Sequence, residues 1–88
     1  MLYFIAFDIK DTKRAESFIL QLEDFGEYIS FLPRCYFLKS NTDLLRNDLY
    51  KKLKSVLDDE DLFLITETNL NNMSGWLSNS VVEWLKNI

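Results

Sequence analysis

Residues 2–11 read LYFIAFDIKD, and the fold turns on how that stretch is read. Residues 2–7 are an unbroken apolar run, rich in aromatic and branched side chains. The run is too short for a helix before the polar break at Asp8, so it reads as a strand. Strand side chains alternate between two faces, which sets Leu2, Phe4 and Ala6 on one side and Tyr3, Ile5 and Phe7 on the other. Both sets are apolar, so the strand is buried on both faces and belongs at the centre of its sheet. It then ends among two carboxylates, Asp8 and Asp11, with Lys10 between them. That ending has two readings: a metal-binding acid at a strand tip, or a chain surfacing into a turn and a helix cap.

The rest of the chain supplies partners for that strand. Residues 11–25 read as a helix, with Ala15, Phe18, Ile19, Leu22 and Phe25 on one apolar stripe. Asp11 or Thr12 caps its start, and Gly26 stands where a left-handed C-terminal cap belongs. Residues 27–32 and 35–39 are short aromatic-rich runs around Pro33 and Arg34, the pattern of a hairpin. Ser40 with Asp43 has the spacing of a capping box and opens a second helix to about residue 57, with Leu45, Leu49, Leu53 and Val56 inward. Residues 58–61, DDED, form a solvated acidic loop, and residues 62–66 a fourth strand. The order β-α-β-β-α-β predicts an α+β, ferredoxin-like sandwich over residues 1–68, with two helices on one face of a four-stranded antiparallel sheet.

Residues 69–88 form a tail. Gly75, Trp76 and Leu77 make a turn with an aromatic anchor, and Ser80 with Glu83 caps a short helix whose stripe is Val81, Trp84, Leu85 and Ile88. So short a helix does not persist alone, so it docks on its own core or on a second subunit, with Trp76 and Trp84 as anchors. Strand three also alternates apolar residues on both sides, Cys35 and Phe37 against Tyr36 and Leu38. Two helices cover only one face of a sheet. The other face is therefore expected to be closed by the tail, by a second copy, or by both, and a symmetric dimer is the simplest closed arrangement. Phe4, Ala6, Tyr36 and Trp76 are the candidates for that interface.

Composition narrows the function. The chain has 88 residues, 48% hydrophobic and 15% aromatic, which fits one folded domain. A chain of this mass exposes roughly 15,000 Å² unfolded and roughly 5,400 Å² folded. The net charge of −4 argues against nonspecific nucleic-acid binding, which needs a basic footprint. Two local basic clusters exist, Lys10–Lys13–Arg14 and Lys51–Lys52–Lys54, both expected to be solvated helix faces. Histidine is absent, which removes histidine-based nucleophile pairs, zinc sites and general bases. The lone Cys35 cannot form an intrachain disulfide and reads as a small core residue. No signal peptide or membrane-spanning run is evident, so a soluble cytoplasmic protein is expected.

The stretches FIAFDIK, YISFLPRCYFL and GWLSNSVVEWLKN together resemble the SinR-like branch of the small CRISPR-associated adaptation-subunit superfamily. Those proteins are ferredoxin-like homodimers that partner the integrase during spacer capture. The resemblance implies a divalent-metal-dependent endonuclease of RNA or DNA, in which Asp8 at the end of strand one is catalytic and holds Mg²⁺ or Mn²⁺ near a dimer axis. Oxygen ligands suit magnesium, which keeps most of its waters and needs one or two carboxylates, and a bound metal can activate water. Lys10, Arg14 and Arg34 are the candidate nucleic-acid contacts, and Glu67, at the end of strand four, reads mostly as edge charge, with joining a metal site beside Asp8 as the minor alternative. The alternative is a non-enzymatic dimeric scaffold or protein-interaction module, because the acidic balance lacks the basic track that DNA-handling members carry.

Overall fold

A computed structural model describes residues 1–41 and 46–87. Along the chain run β1 (Leu2–Asp8), α1 (Thr12–Gln21), β2 (Gly26–Leu32), β3 (Cys35–Ser40), α2 (Arg46–Lys54), β4 (Leu62–Thr68) and α3 (Asn79–Lys86). The strands form one antiparallel sheet in the order β2-β3-β1-β4. This is the ferredoxin-like arrangement expected from the element order, with β1 and β3 central.

α1 and α2 close one face. Tyr3, Ile5, Phe18, Leu22, Leu38, Leu49 and Leu53 are completely buried there, and each contributes about 1.5–3 kcal/mol of transfer free energy. The register fixes which strand residues join them, because Ile5 stands opposite both Tyr36 and Ile65. Phe7 packs on Phe18 at 4.9 Å between ring centroids and stacks on Tyr36 at 5.9 Å. Tyr36 is therefore part of the helix-side core. The expectation that it shares an interface with Phe4 and Ala6 is corrected: it points to the other side of the sheet.

The chain ends its elements partly where the local signals stand and partly elsewhere. Asp11 is the cap of α1, its Oδ1 accepting from the Arg14 backbone N–H at 2.9 Å. The helix tightens into a 3₁₀ turn at Leu22–Asp24 and ends before Gly26, which opens β2 instead of capping α1. Gly26 has a φ of 153°, and a Cβ there would fall on the Lys39 carbonyl of the neighbouring strand. Close backbone approach, not helix termination, calls for this glycine. The hairpin turns at Pro33 and Arg34 with Leu32 opposite Cys35, and Arg34 takes a left-handed φ of 63°. The expected contributions of Asp43, Leu45 and Ile88 lie outside the described residues.

The tail docks on the face away from α1 and α2. Leu2, Phe37, Val81 and Leu85 form a second buried cluster, with Phe4, Ile29, Phe31, Met73, Leu77 and Trp84 packed around it. Lys39 pins α3 to the sheet: its Nζ donates to the Trp84 carbonyl at 2.6 Å and lies 4.0 Å from the centroid of the indole. Such a cation–π contact adds about 0.5–2 kcal/mol. The cap of α3 is Ser78, so the expected box of Ser80 and Glu83 is displaced into the helix. Trp84 is an anchor of the tail, as expected. Trp76 is not, because it is 100% exposed.

Candidate functional site

Asp8 lies at the end of β1 on the face away from the two helices, since it alternates with Ala6 and Phe4. Its carboxylate is half exposed, and its Oδ1 accepts from Arg34 Nη1 at 3.4 Å. The Arg34 guanidinium is held there by the hairpin, whose turn also ties to β1 through Phe7 N–H donating to the Arg34 carbonyl at 3.1 Å. Glu67 does not join Asp8. The register sets Asp8 opposite Leu62 and Tyr3 opposite Glu67, so about 17 Å of strand separates the two acids. Among the described residues no group of three acidic or cysteine side chains is placed to hold a metal ion. A single copy thus offers a divalent cation one carboxylate, already paired with a guanidinium, and the residues of one subunit do not fit a metal site.

The expected nucleic-acid contacts are largely spoken for. Arg14 reaches back to the acidic loop: Nε donates to Asp61 Oδ2 at 2.8 Å, and Nη2 donates to Asp61 Oδ1 at 3.2 Å and to Glu60 Oε1 at 3.3 Å. Nη1 is 3.8 Å from Asp58 Oδ2. The Asp61 side chain is fully buried in this clamp and also accepts from the Asp58 backbone N–H at 2.9 Å. The Arg14 hydrogen bonds, and then the Asp58 amide, hold the Asp61 carboxyl below the ordinary carboxylate range, and the same pair pushes the Arg14 guanidinium above its ordinary value. The loop expected to be merely solvated is a structural clamp joining α1 to the start of β4. Lys10 remains exposed, while Arg14 and Arg34 are both paired with acids.

What stands open is apolar. The tail covers the β2 side of the sheet and the start of β1, leaving the outer part of β4 bare. Leu62 and Leu64, opposite Asp8 and Ala6, are 65% and 60% exposed. β4 is an edge strand, and long apolar edges are sites where another chain pairs or packs. Sequence reasoning passed over these two leucines. The signal was available, because residues 62–65 read LFLI and are apolar on both faces of a strand that the topology makes an edge. The whole molecule exposes 6010 Å², about 600 Å² more than a folded chain of this mass should.

Next to this bare strip the tail arches over a cavity of about 580 Å³. Its floor is aromatic: Phe31 stacks on Phe37 at 4.1 Å, and Phe4 lies 5.6 Å from Phe31 and 6.2 Å from Phe37. Thr66, Thr68, Asn72, Ser74 and Lys86 supply polar groups to its lining, with no acidic residue there among the described residues. Gly75 and Leu77 belong to the wall, whereas Trp76 between them points into solvent. Among the described residues no helix is long and apolar enough to cross a membrane.

No family model matches the chain, and no curated protein matches it in sequence. The structure is similar to that of a hypothetical protein from Thermus thermophilus, with a TM-score of 0.62 and 22% identity over 88% of this chain and 93% of the other. That likeness supports the ferredoxin-like fold and carries no functional information.

Proposed function

We propose that the chain is a non-enzymatic, homodimeric interaction module that associates through the open half of its sheet. The observation that carries this reading is the bare apolar strip of Leu62 and Leu64 on edge strand β4, on the face that also carries Phe4 and Ala6. Of the interface residues expected from the sequence, Phe4, Ala6 and Trp76 suit this surface, and Tyr36 does not. Asp8 and Arg34 lie at its edge as an ion pair of opposite charge, so that edge carries no single-sign cluster for a second copy to repel.

The nuclease reading rests on the resemblance to the CRISPR-associated adaptation subunits, with Mg²⁺ or Mn²⁺ held by paired Asp8 residues. It has less support, because Asp8 is engaged by Arg34, and two of the three cationic residues proposed to follow a phosphate backbone, Arg14 and Arg34, are paired with acids. Sedimentation equilibrium tests the interaction module directly. A dimer at micromolar concentration is expected, and a monomer throughout that range overturns the reading. Magnesium- or manganese-dependent cleavage of RNA or DNA that disappears in Asp8→Ala would overturn its non-enzymatic half.

A further inference from the structure

We propose that the dimer is closed by exchange of Trp76, each indole seating in the aromatic cavity of the second copy; this deepens the dimer reading above and rests on it. Trp76 is completely exposed, although an indole is among the side chains that gain most from burial. Its own cavity is out of reach. Its neighbours on either side, Gly75 and Leu77, both line the cavity wall, while Trp76 between them is completely exposed. Leu77 points inward and packs in the tail cluster, so Trp76 points out.

A second copy resolves this. The knob and the hole sit side by side on one face, and a two-fold axis brings each knob to the other copy's hole, as an isologous contact requires. The chemistry of the hole suits an indole. Phe4, Phe31 and Phe37 offer ring edges and faces, and Thr66 and Asn72 at the rim offer acceptors for the indole N–H. The volume of about 580 Å³ is ample for it. Two indoles would bury about 300–500 Å², about a quarter of an interface of standard size. Leu62, Leu64 and Leu70, all exposed beside it, extend the contact.

The test uses the full chain with Trp84→Phe, which leaves Trp76 as its one tryptophan. Its fluorescence and acrylamide quenching are followed against concentration, beside sedimentation equilibrium on the same samples. The expected result is an emission that shifts to the blue and becomes protected along the curve of dimer formation. Trp76→Ala is expected to weaken the dimer at least tenfold and leave monomer unfolding by urea unchanged. Thr66→Phe, which narrows the hole with a strand-favouring residue, is expected to weaken the dimer without touching the indole. A dimer whose Trp76 stays solvent-like overturns the exchange and leaves the dimer standing. A blue-shifted emission independent of concentration places the indole in its own chain and also overturns it. A monomer at every concentration removes the dimer and the exchange together.

Discussion

Leu64→Ala separates the surface role of the open face from a packing role. Leucine to alanine deletes three carbon groups, worth about 2.4 kcal/mol when fully buried at ~0.8 kcal/mol each. Leu64 is 60% exposed, so the folded monomer realises about 1 kcal/mol of this. The remaining ~1.4 kcal/mol is available to an interface. A two-fold dimer contains the site twice, so the substitution should cost about 2.8 kcal/mol of association, which is about a hundredfold in dimer Kd. Leu38→Ala is the control. Leu38 is completely buried under the helices, and its truncation should cost about 2–5 kcal/mol of folding stability. Sedimentation equilibrium gives the association constant, and urea unfolding at concentrations where the chain is monomeric gives the stability. The reasoning fails if Leu64→Ala leaves association unchanged, or if it destabilises the monomer as much as Leu38→Ala does.

Gly26→Ala should lose about 3 kcal/mol of stability, since the added Cβ meets the Lys39 carbonyl and φ stays at a value that side chains disfavour; a urea midpoint equal to wild type would show that the strand entry relaxes freely. At the hairpin, Arg34→Gly and Arg34→Ala both lose the contact with Asp8, but only glycine relieves the φ of 63°. The glycine variant should therefore be the more stable of the two by about 1 kcal/mol, and equal unfolding midpoints would refute a strained turn. The clamp on Asp61 predicts a pH dependence. Its carboxyl is depressed in the folded chain, so the unfolded chain takes up the proton more readily. The clamp therefore stabilises fully above the unfolded value of about 3.9, and that contribution fades as pH falls through the lower folded value. Wild type should lose stability more steeply than Asp61→Asn below about pH 4, and parallel urea-midpoint curves would remove Asp61 from the acid response.

The central strand was legible because its evidence is local: six consecutive apolar residues on both faces leave no other place for it. The caps were partly legible. Asp11 precedes a clear apolar stripe, whereas three serines in succession at 74, 78 and 80 leave the start of α3 ambiguous within a turn. Tyr36 was misassigned for a nonlocal reason. Which side it joins depends on the β1–β3 register, which sets Tyr36 opposite Ile5 and cannot be read from the periodicity of either strand alone. The Arg14 clamp joins residues 47 positions apart, and no spacing rule connects them. Trp76 misled because an aromatic in a turn reads as an anchor, yet the alternation of the chain aims it outward once Leu77 packs in. Asp8 was located correctly, and its pairing with Arg34 followed only from the hairpin folding back along β1.

β1 and β3 each serve two interiors at once, Tyr3, Ile5 and Leu38 on the helix side and Leu2 and Phe37 on the tail side. Because the period of a strand is two, these sets are disjoint although they lie on the same backbone. Inheritance can therefore act on them separately. Substitutions in residues 69–87 can reshape, widen or close the outer face while every contact beneath α1 and α2 is kept. A lineage built on this plan is free to change what it binds by editing residues 69–87, with the sheet as a fixed partition between the variable half and the constant one.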